Sequence, residues 1–531
     1  MGRKGILLLA AAFLVVAGIL PLLSMLFQSL FPGGRFSLSA YEGVLATRRQ
    51  WTLMGNSLSL ALLVTVLTSA LGVPLGILLG KTDLPFRRTF LFLFLLPLLV
   101  PPYITAVSWA GLLGREGLLS PLLGPGVSKA ASDLLFGLPG CVLVLASAYL
   151  PIPMLLTFFS LQAVNPRLEE AARVSAAWPQ VLRRITLPLV LPGLLVAALL
   201  VFLMALGEFS VPNYLRFPVF PVESFTQFSA FYDFQAATAS ALPLALAALV
   251  LLAGEALFLE KKWSSLRPAP GAGPAARIAL GKNRKRYLFL AALPALFLVV
   301  LPFAALLART GGPAPFAEAF ERAGDSLLRS LLFATLGATL LAILGFFLGY
   351  LVHTRALPAW RALDWLTLFL FALPGTVIAV GLISLWNRPW TNFVYATPLI
   401  LLLGWTAKYA ALTSRIVSAR LSLLPPSMEE AAQAAGAGWF RRIAFIVAPL
   451  AARGILAAWL TAFLFCLRDT GITMMVHPPG GETLPVRIFT LMANGSPRLV
   501  SALCVIMAAS VLFPAALLFT LMARTPKEET R

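Results

Sequence analysis

The 531-residue chain is 59% hydrophobic and 12% charged, with a mean hydropathy of +0.89 and a net charge of +20 from 41 Lys+Arg against 21 Asp+Glu. Soluble domains carry about 45–50% apolar and about 25% charged residues, so this composition argues against a soluble enzyme, a disordered chain or a secreted disulfide scaffold. Cys141, Cys466 and Cys504 lie in apolar runs without CxxC spacing, and His353 and His477 are the only histidines, so neither structural disulfides nor a histidine metal site is expected.

A helix that crosses the hydrocarbon core needs about 20 mostly apolar residues. On that scale the chain reads as twelve spans, near 5–31, 56–80, 89–114, 139–162, 186–209, 236–259, 287–309, 326–352, 363–386, 395–417, 449–467 and 498–523. The expected fold is an all-α polytopic membrane protein. The first span follows Met1-Gly2-Arg3-Lys4 and outruns a signal-peptide core, with no small-residue cleavage site close behind; it is read as retained. The second span ends in Gly76-Ile77-Leu78-Leu79-Gly80-Lys81-Thr82. That stretch looks like a phosphate loop, but one residue is missing between its glycines and no soluble strand precedes it. It is read as a small-residue packing face ending in a basic anchor.

Pro101 in the third span and Pro374 in the ninth free backbone carbonyls. They are candidate bends near a gate, with ordinary packing kinks as the alternative. Between spans six and seven, residues 261–286 carry eight basic residues and no acid, interrupted by Pro and Gly. This is a linker between halves 1–260 and 287–531. With both termini inside, most Lys and Arg fall in the cytoplasm, which accounts for the positive charge without a nucleic-acid partner.

The halves repeat each other. At one constant offset Leu71-Gly72 and Gly76 match Leu344-Gly345 and Gly349, Leu84-Pro85 matches Leu357-Pro358, and Pro101 matches Pro374. At a second offset Tyr149, Leu161 and Pro166 match Tyr409, Leu421 and Pro426. Such a parallel repeat implies two pseudo-symmetric six-helix lobes about an axis along the membrane normal, a layout that transporters use.

The strongest repeat is a loop expected on the cytoplasmic side, over 163–188 and again over 423–449. The first reads Asn165-Pro166-Arg167-Leu168-Glu169-Glu170-Ala171-Ala172 and closes on Ile185-Thr186-Leu187-Pro188. The second reads Pro425-Pro426-Ser427-Met428-Glu429-Glu430-Ala431-Ala432 and closes on Ile446-Val447-Ala448-Pro449. Asn165 is a predicted helix cap with Pro166 at the first helical position, and Ser427 with Glu430 a predicted capping box. Arginine pairs follow, Arg183-Arg184 and Arg441-Arg442.

These loops resemble the EAA motif of ABC importer permeases: Glu-Ala-Ala, three residues, Gly, nine residues, Ile, one residue, Leu-Pro. The second loop fits with Glu430-Ala431-Ala432, Gly436, Ile446 and Pro449, and has Ala448 where Leu is usual. The first is one residue shorter and has Ser175 or Ala176 in place of the glycine. The resemblance covers nearly the whole chain and implies the type I importer permease fold. The fused twelve-span form is similar to the permeases for iron(III) and for thiamine. Local wording is nearest the iron(III) type, in Leu96-Pro97-Leu98-Leu99-Val100-Pro101-Pro102-Tyr103 and Pro478-Pro479-Gly480-Gly481-Glu482-Thr483-Leu484-Pro485.

The resemblance implies a channel subunit, not an enzyme, in a bacterial inner membrane. On the same resemblance it would work by alternating access and hold no cofactor, with ATP and Mg acting on a separate ATPase dimer. That dimer would grip Glu169, Glu170, Ala171, Ala172, Glu429, Glu430, Ala431, Ala432 and Gly436. A periplasmic or extracellular binding protein would deliver the cargo. An ion-gradient-driven twelve-span transporter is the competing class.

Charges inside membranes cost about 2.5–3.5 kcal/mol on insertion scales, so each needs a reason. Glu208 and Asp469 sit equally far beyond Pro188 and Pro449. Either they line the pathway, where carboxylate oxygens suit a hard cation, or they pair locally. Lys408 poses the same choice between a pathway role and pairing with a neighbouring helix. No metal ligand set is assigned.

Overall fold

The computed structural model describes residues 3–258 and 277–524. Among the described residues, nine helices are long and apolar enough to cross a membrane, and two bent pairs raise the number to as many as eleven. The pairs are Arg87–Leu99 with Pro102–Leu113, bent by 100°, and Trp360–Ala372 with Gly375–Trp386, bent by 106°. The tenth expected span, 395–417, forms the helix Leu399–Leu421 but is not among those eleven. Lys408, Arg415 and Arg420 lower its hydropathy, and Ile400, Trp405, Tyr409 and Val417 on it are buried.

Both sharp bends sit at the paired prolines. Val100 and Pro101 are extended (ψ 144° and 135°), as are Leu373 and Pro374 (ψ 141° and 142°); Val100, Pro101 and Leu373 each precede a proline, which pushes a residue out of the helical region. The helix after each break is buried on nearly every side, from Pro102 to Leu112 and from Gly375 to Ser384. Irregular backbone at membrane depth is tolerated when protein encloses it.

Four other proline positions produce a gentler irregularity. Pro21, Pro188, Pro302 and Pro449 each follow a wide π-turn, at Val15–Ile19, Leu182–Thr186, Leu296–Val300 and Ile443–Val447. In each, the residue just before the proline donates its N–H to the carbonyl five residues back. Proline cannot donate, and the added residue shifts the ladder so that the helix continues past it.

The repeated glycines are helix contacts. A Cβ on Gly72 would lie 2.8 Å from Pro153 Cγ, and one on Gly76 2.6 Å from the Met154 carbonyl oxygen. Gly345 and Gly349 press in the same way on Thr413 and on the Ser414 carbonyl. Small residues at four-residue spacing let backbones approach closely where lipid provides no hydrophobic drive.

Two compact units are present: Met1–Arg48, Glu223–Ala245 and Ala314–Arg531 in one, Arg49–Val222 and Leu246–Pro313 in the other. The packing units therefore differ from the sequence halves 1–260 and 287–531. The first span of each half is held in the unit made mostly from the other half. In the first unit the Ser24 and Ser384 hydroxyls are 2.8 Å apart, and Gly381 abuts the Pro21 backbone. In the second, Trp109 packs on Phe297 with ring centroids 5.2 Å apart. The buried helices Pro102–Leu113 and Gly375–Trp386 thus obtain an apolar neighbour each.

Of the linker, residues 261–276 lie outside the described residues. Its end runs beside the chain that leaves helix Arg48–Lys81. Ile278 N–H donates to Lys81 O at 2.7 Å, and Leu280 N–H to an Asp83 carboxylate oxygen at 2.9 Å.

Candidate functional site

The first repeated loop is a short helix, Pro166–Arg173, a turn, and the helix Trp178–Val181 that leads through the π-turn into Leu187–Leu206. Asn165 caps it: its side-chain oxygen accepts the Arg167 N–H at 3.1 Å, with Pro166 next, where no donor is needed. Glu169 is completely buried. Its Oε2 accepts from Lys81 Nζ at 2.5 Å and its Oε1 from Thr186 Oγ1 at 2.8 Å. Lys81 is buried as well. Glu170, Ala171, Arg183 and Arg184 are exposed, and Ala172 is partly so.

The second loop repeats the plan with other side chains. Its helix is Pro426–Ala434 and its connector Trp439–Arg442. Glu429 accepts from the Tyr350 hydroxyl at 2.9 Å and lies 3.4 Å from Arg442 Nε. Trp439 Nε1 donates to the same Tyr350 oxygen at 3.3 Å, and the Arg3 guanidinium stands 5.6 Å above the Tyr350 ring. Glu430 and Ala431 are exposed and Ala432 partly so. A cavity of about 250 Å³ behind this loop is lined by Arg3, Tyr350, His353, Glu429, Gln433 and Arg442, among others.

Several expectations change here. Glu169, grouped with the docking residues, points into the protein and no partner can reach it; the same inward turn holds Glu429 at about a quarter exposed. The capping box of Ser427 and Glu430 does not form, because Pro425 is the cap residue and Ser427 already lies in the first turn. Arg183-Arg184 and Arg441-Arg442 are not equivalent: Trp178–Val181 superposes in role on Trp439–Arg442, so Arg442 corresponds to buried Val181. Gly436 takes a left-handed conformation (φ +82°), whereas the first turn, Val174 to Ala177, has no positive φ and needs no glycine.

The intramembrane acids form a second matched pair of sites. Glu208 accepts from Tyr149 OH at 2.8 Å, from Ser210 N–H at 3.0 Å and from Ser210 Oγ at 2.5 Å. Asp469 accepts from Tyr409 OH at 2.9 Å, from the N–H groups of Ile472 and Thr473 at 3.2 and 3.0 Å, and from Thr473 Oγ1 at 2.8 Å. Each acid closes the helix that precedes it and caps the short helix that follows. Lys408 Nζ donates to the carbonyls of Phe371 (2.8 Å) and Leu373, which the break at Pro374 releases. A cation at a helix C-terminus is favoured there by the helix dipole.

Sequence reasoning missed Lys81, Thr186, Tyr350 and Arg442 as partners of the loop acids. It did hold a signal for the tyrosines: Tyr149 and Tyr409 occur at matching positions, and each is hydrogen-bonded to a matched acid.

Residues 72–258 match the family described as the binding-protein-dependent transport system inner membrane component. A putative ferric transport system permease protein of Haemophilus influenzae is 24% identical over 496 residues, 88% of this chain and 77% of that protein. The ferric transport system permease protein of Actinobacillus pleuropneumoniae is 23% identical over 93% of this chain and 75% of that protein. A probable molybdenum ABC transporter permease protein of Haloferax volcanii is 33% identical over 39% of this chain and 71% of that protein.

Proposed function

The chain belongs to the binding-protein-dependent transport-system inner-membrane components, and from that membership we propose that it forms the membrane channel of an ATP-driven iron(III) importer. As a permease of such an importer it is a multi-pass membrane subunit, and its family implies an ATPase and a substrate-binding protein as partners. The cargo assignment rests on one observation. Two relatives that align with this chain over most of its length are named for ferric transport. The molybdenum and spermidine/putrescine permeases align over roughly a third of it. Molybdenum is the second reading, favoured by the higher local identity of 33%.

In this reading both termini lie in the cytoplasm, and the ATPase dimer grips the exposed faces of the two loops, Glu170 with Ala171 and Glu430 with Ala431. The inward acids Glu169 and Glu429 hold the loops in place. Alternating access then works on the two broken spans. Their buried hydroxyls at Thr105 and Thr376, just beyond each break, have no hydrogen-bond partner among the described residues. Buried polar groups without a partner call for an explanation, and contact with a hydrated ion when the breaks open would supply one. Glu208, Asp469 and Lys408 each fix helix ends within their own unit.

The test is uptake by proteoliposomes holding the permease, its ATPase and its binding protein. ATP-dependent uptake of labelled iron(III) is expected, and Glu430→Arg should abolish it together with ATPase retention. Uptake of molybdate, thiamine or spermidine with none of iron(III) would overturn the cargo. Uptake without nucleotide would overturn the importer mechanism.

A further inference from the structure

The two loop acids occupy equivalent places but are held by different chemistry. In the first loop one carboxylate joins three elements: Lys81 at the last position of helix Arg48–Lys81, Glu169 in the loop helix, and Thr186 in the π-turn that opens Leu187–Leu206. Lys81 and Glu169 are both inaccessible to water. Lys81 is also tied through its backbone carbonyl to Ile278. In the second loop the helix end is reached through Tyr350, a neutral donor, and the ionic partner Arg442 stands 3.4 Å away beside a carboxylate that water reaches. A dry ion pair cannot be loosened without exposing a bare charge, whereas a wet one exchanges with solvent and is screened by salt.

We propose that Lys81 is the positioning residue of the first loop, joining it stiffly to the long helix, while the joint Tyr350–Glu429–Arg442 holds the second loop more loosely. A partner that displaces both loops would then move the helix Arg48–Lys81 directly and the helix Ala314–Thr354 with slack. The inference rests on the reading that the loops dock an ATPase.

The experiment uses the reconstituted complex of permease, ATPase and binding protein, and reads two quantities: ATPase retained on purification, and cargo taken up per ATP hydrolysed. Lys81→Met should retain the ATPase yet lower uptake per ATP by about tenfold, because the loop acid loses its tie. The neutral pair Lys81→Gln with Glu169→Gln should recover part of that loss. Tyr350→Phe should cost about twofold or less, and its effect should grow at high salt as the remaining ion pair is screened. Unchanged uptake per ATP in Lys81→Met, or an equal loss in Tyr350→Phe, would overturn the proposal. Should Lys81→Met fail to fold, Thr186→Val removes only one donor to Glu169; full coupling there would likewise count against the tie. Undiminished ATPase binding by Glu170→Arg with Glu430→Arg would overturn the docking reading itself, and this proposal with it.

Discussion

Gly76 lies where helix Arg48–Lys81 crosses the helix Pro151–Ala163. A methyl group there would sit 2.6 Å from the Met154 carbonyl oxygen and 2.6 Å from Thr157 Cβ. Ordinary carbon–oxygen contacts lie at about 3.3–3.6 Å, so the two backbones must part by roughly 0.7–1 Å. Overpacking of this kind costs about 1–3 kcal/mol. Replacing glycine within a helix returns about 1 kcal/mol. Gly76→Ala should therefore lie between neutral and about 2 kcal/mol less stable than the parent. Gly55, on the same helix, has nothing within 4 Å of the same methyl position. There the substitution keeps only the gain, about 1 kcal/mol. The two variants should differ by about 2 kcal/mol, measured by reversible unfolding in mixed micelles. Gly349→Ala should repeat the Gly76 result, because the Ser414 carbonyl stands 2.6 Å from its methyl position. Equal stability of Gly55→Ala and Gly76→Ala would refute close backbone packing at the repeated glycines.

Lys408→Met removes the donor to the Phe371 and Leu373 carbonyls at the second break; a loss of about 1.5–3 kcal/mol is expected from unfolding midpoints, the range for hydrogen bonds to charged groups. Gly436→Ala puts a side chain at φ +82°, at a cost of about 1–2 kcal/mol, and should speed amide exchange through Pro426–Ala434. By contrast Ser175→Gly should bring no gain, since the first turn has no left-handed residue. Asn165→Ala loses the cap of Pro166–Arg173, worth about 1 kcal/mol, which hydrogen exchange over that helix would register as about fivefold faster opening.

Much of this protein was legible from its residues alone. Hydropathy and length located the spans, and Pro101 and Pro374 marked where two of them break, because these signals act within one helix and need no knowledge of neighbours. The duplicated loops were found the same way, through Glu-Glu-Ala-Ala and the prolines that close them. The shortfall at 395–417 has a local cause as well, three basic residues in one helix.

What the residues could not say is which side of a helix faces what. Glu169 and Glu170 are neighbours in sequence, yet about 100° apart around the helix, and that rotation alone buries one on Lys81 and exposes the other. Lys81 looked like a basic anchor because its partner is remote in sequence. Likewise every span is apolar, so composition gave no reason for the first span of each half to pack in the unit built from the other half. Only close approaches such as Gly381 on Pro21 decide it. The sequence by itself determined where the chain crosses, bends and presents its two loops. The tertiary structure decided which helix each loop is fastened to and how firmly, since that depends on the pairing of distant groups in the dry interior.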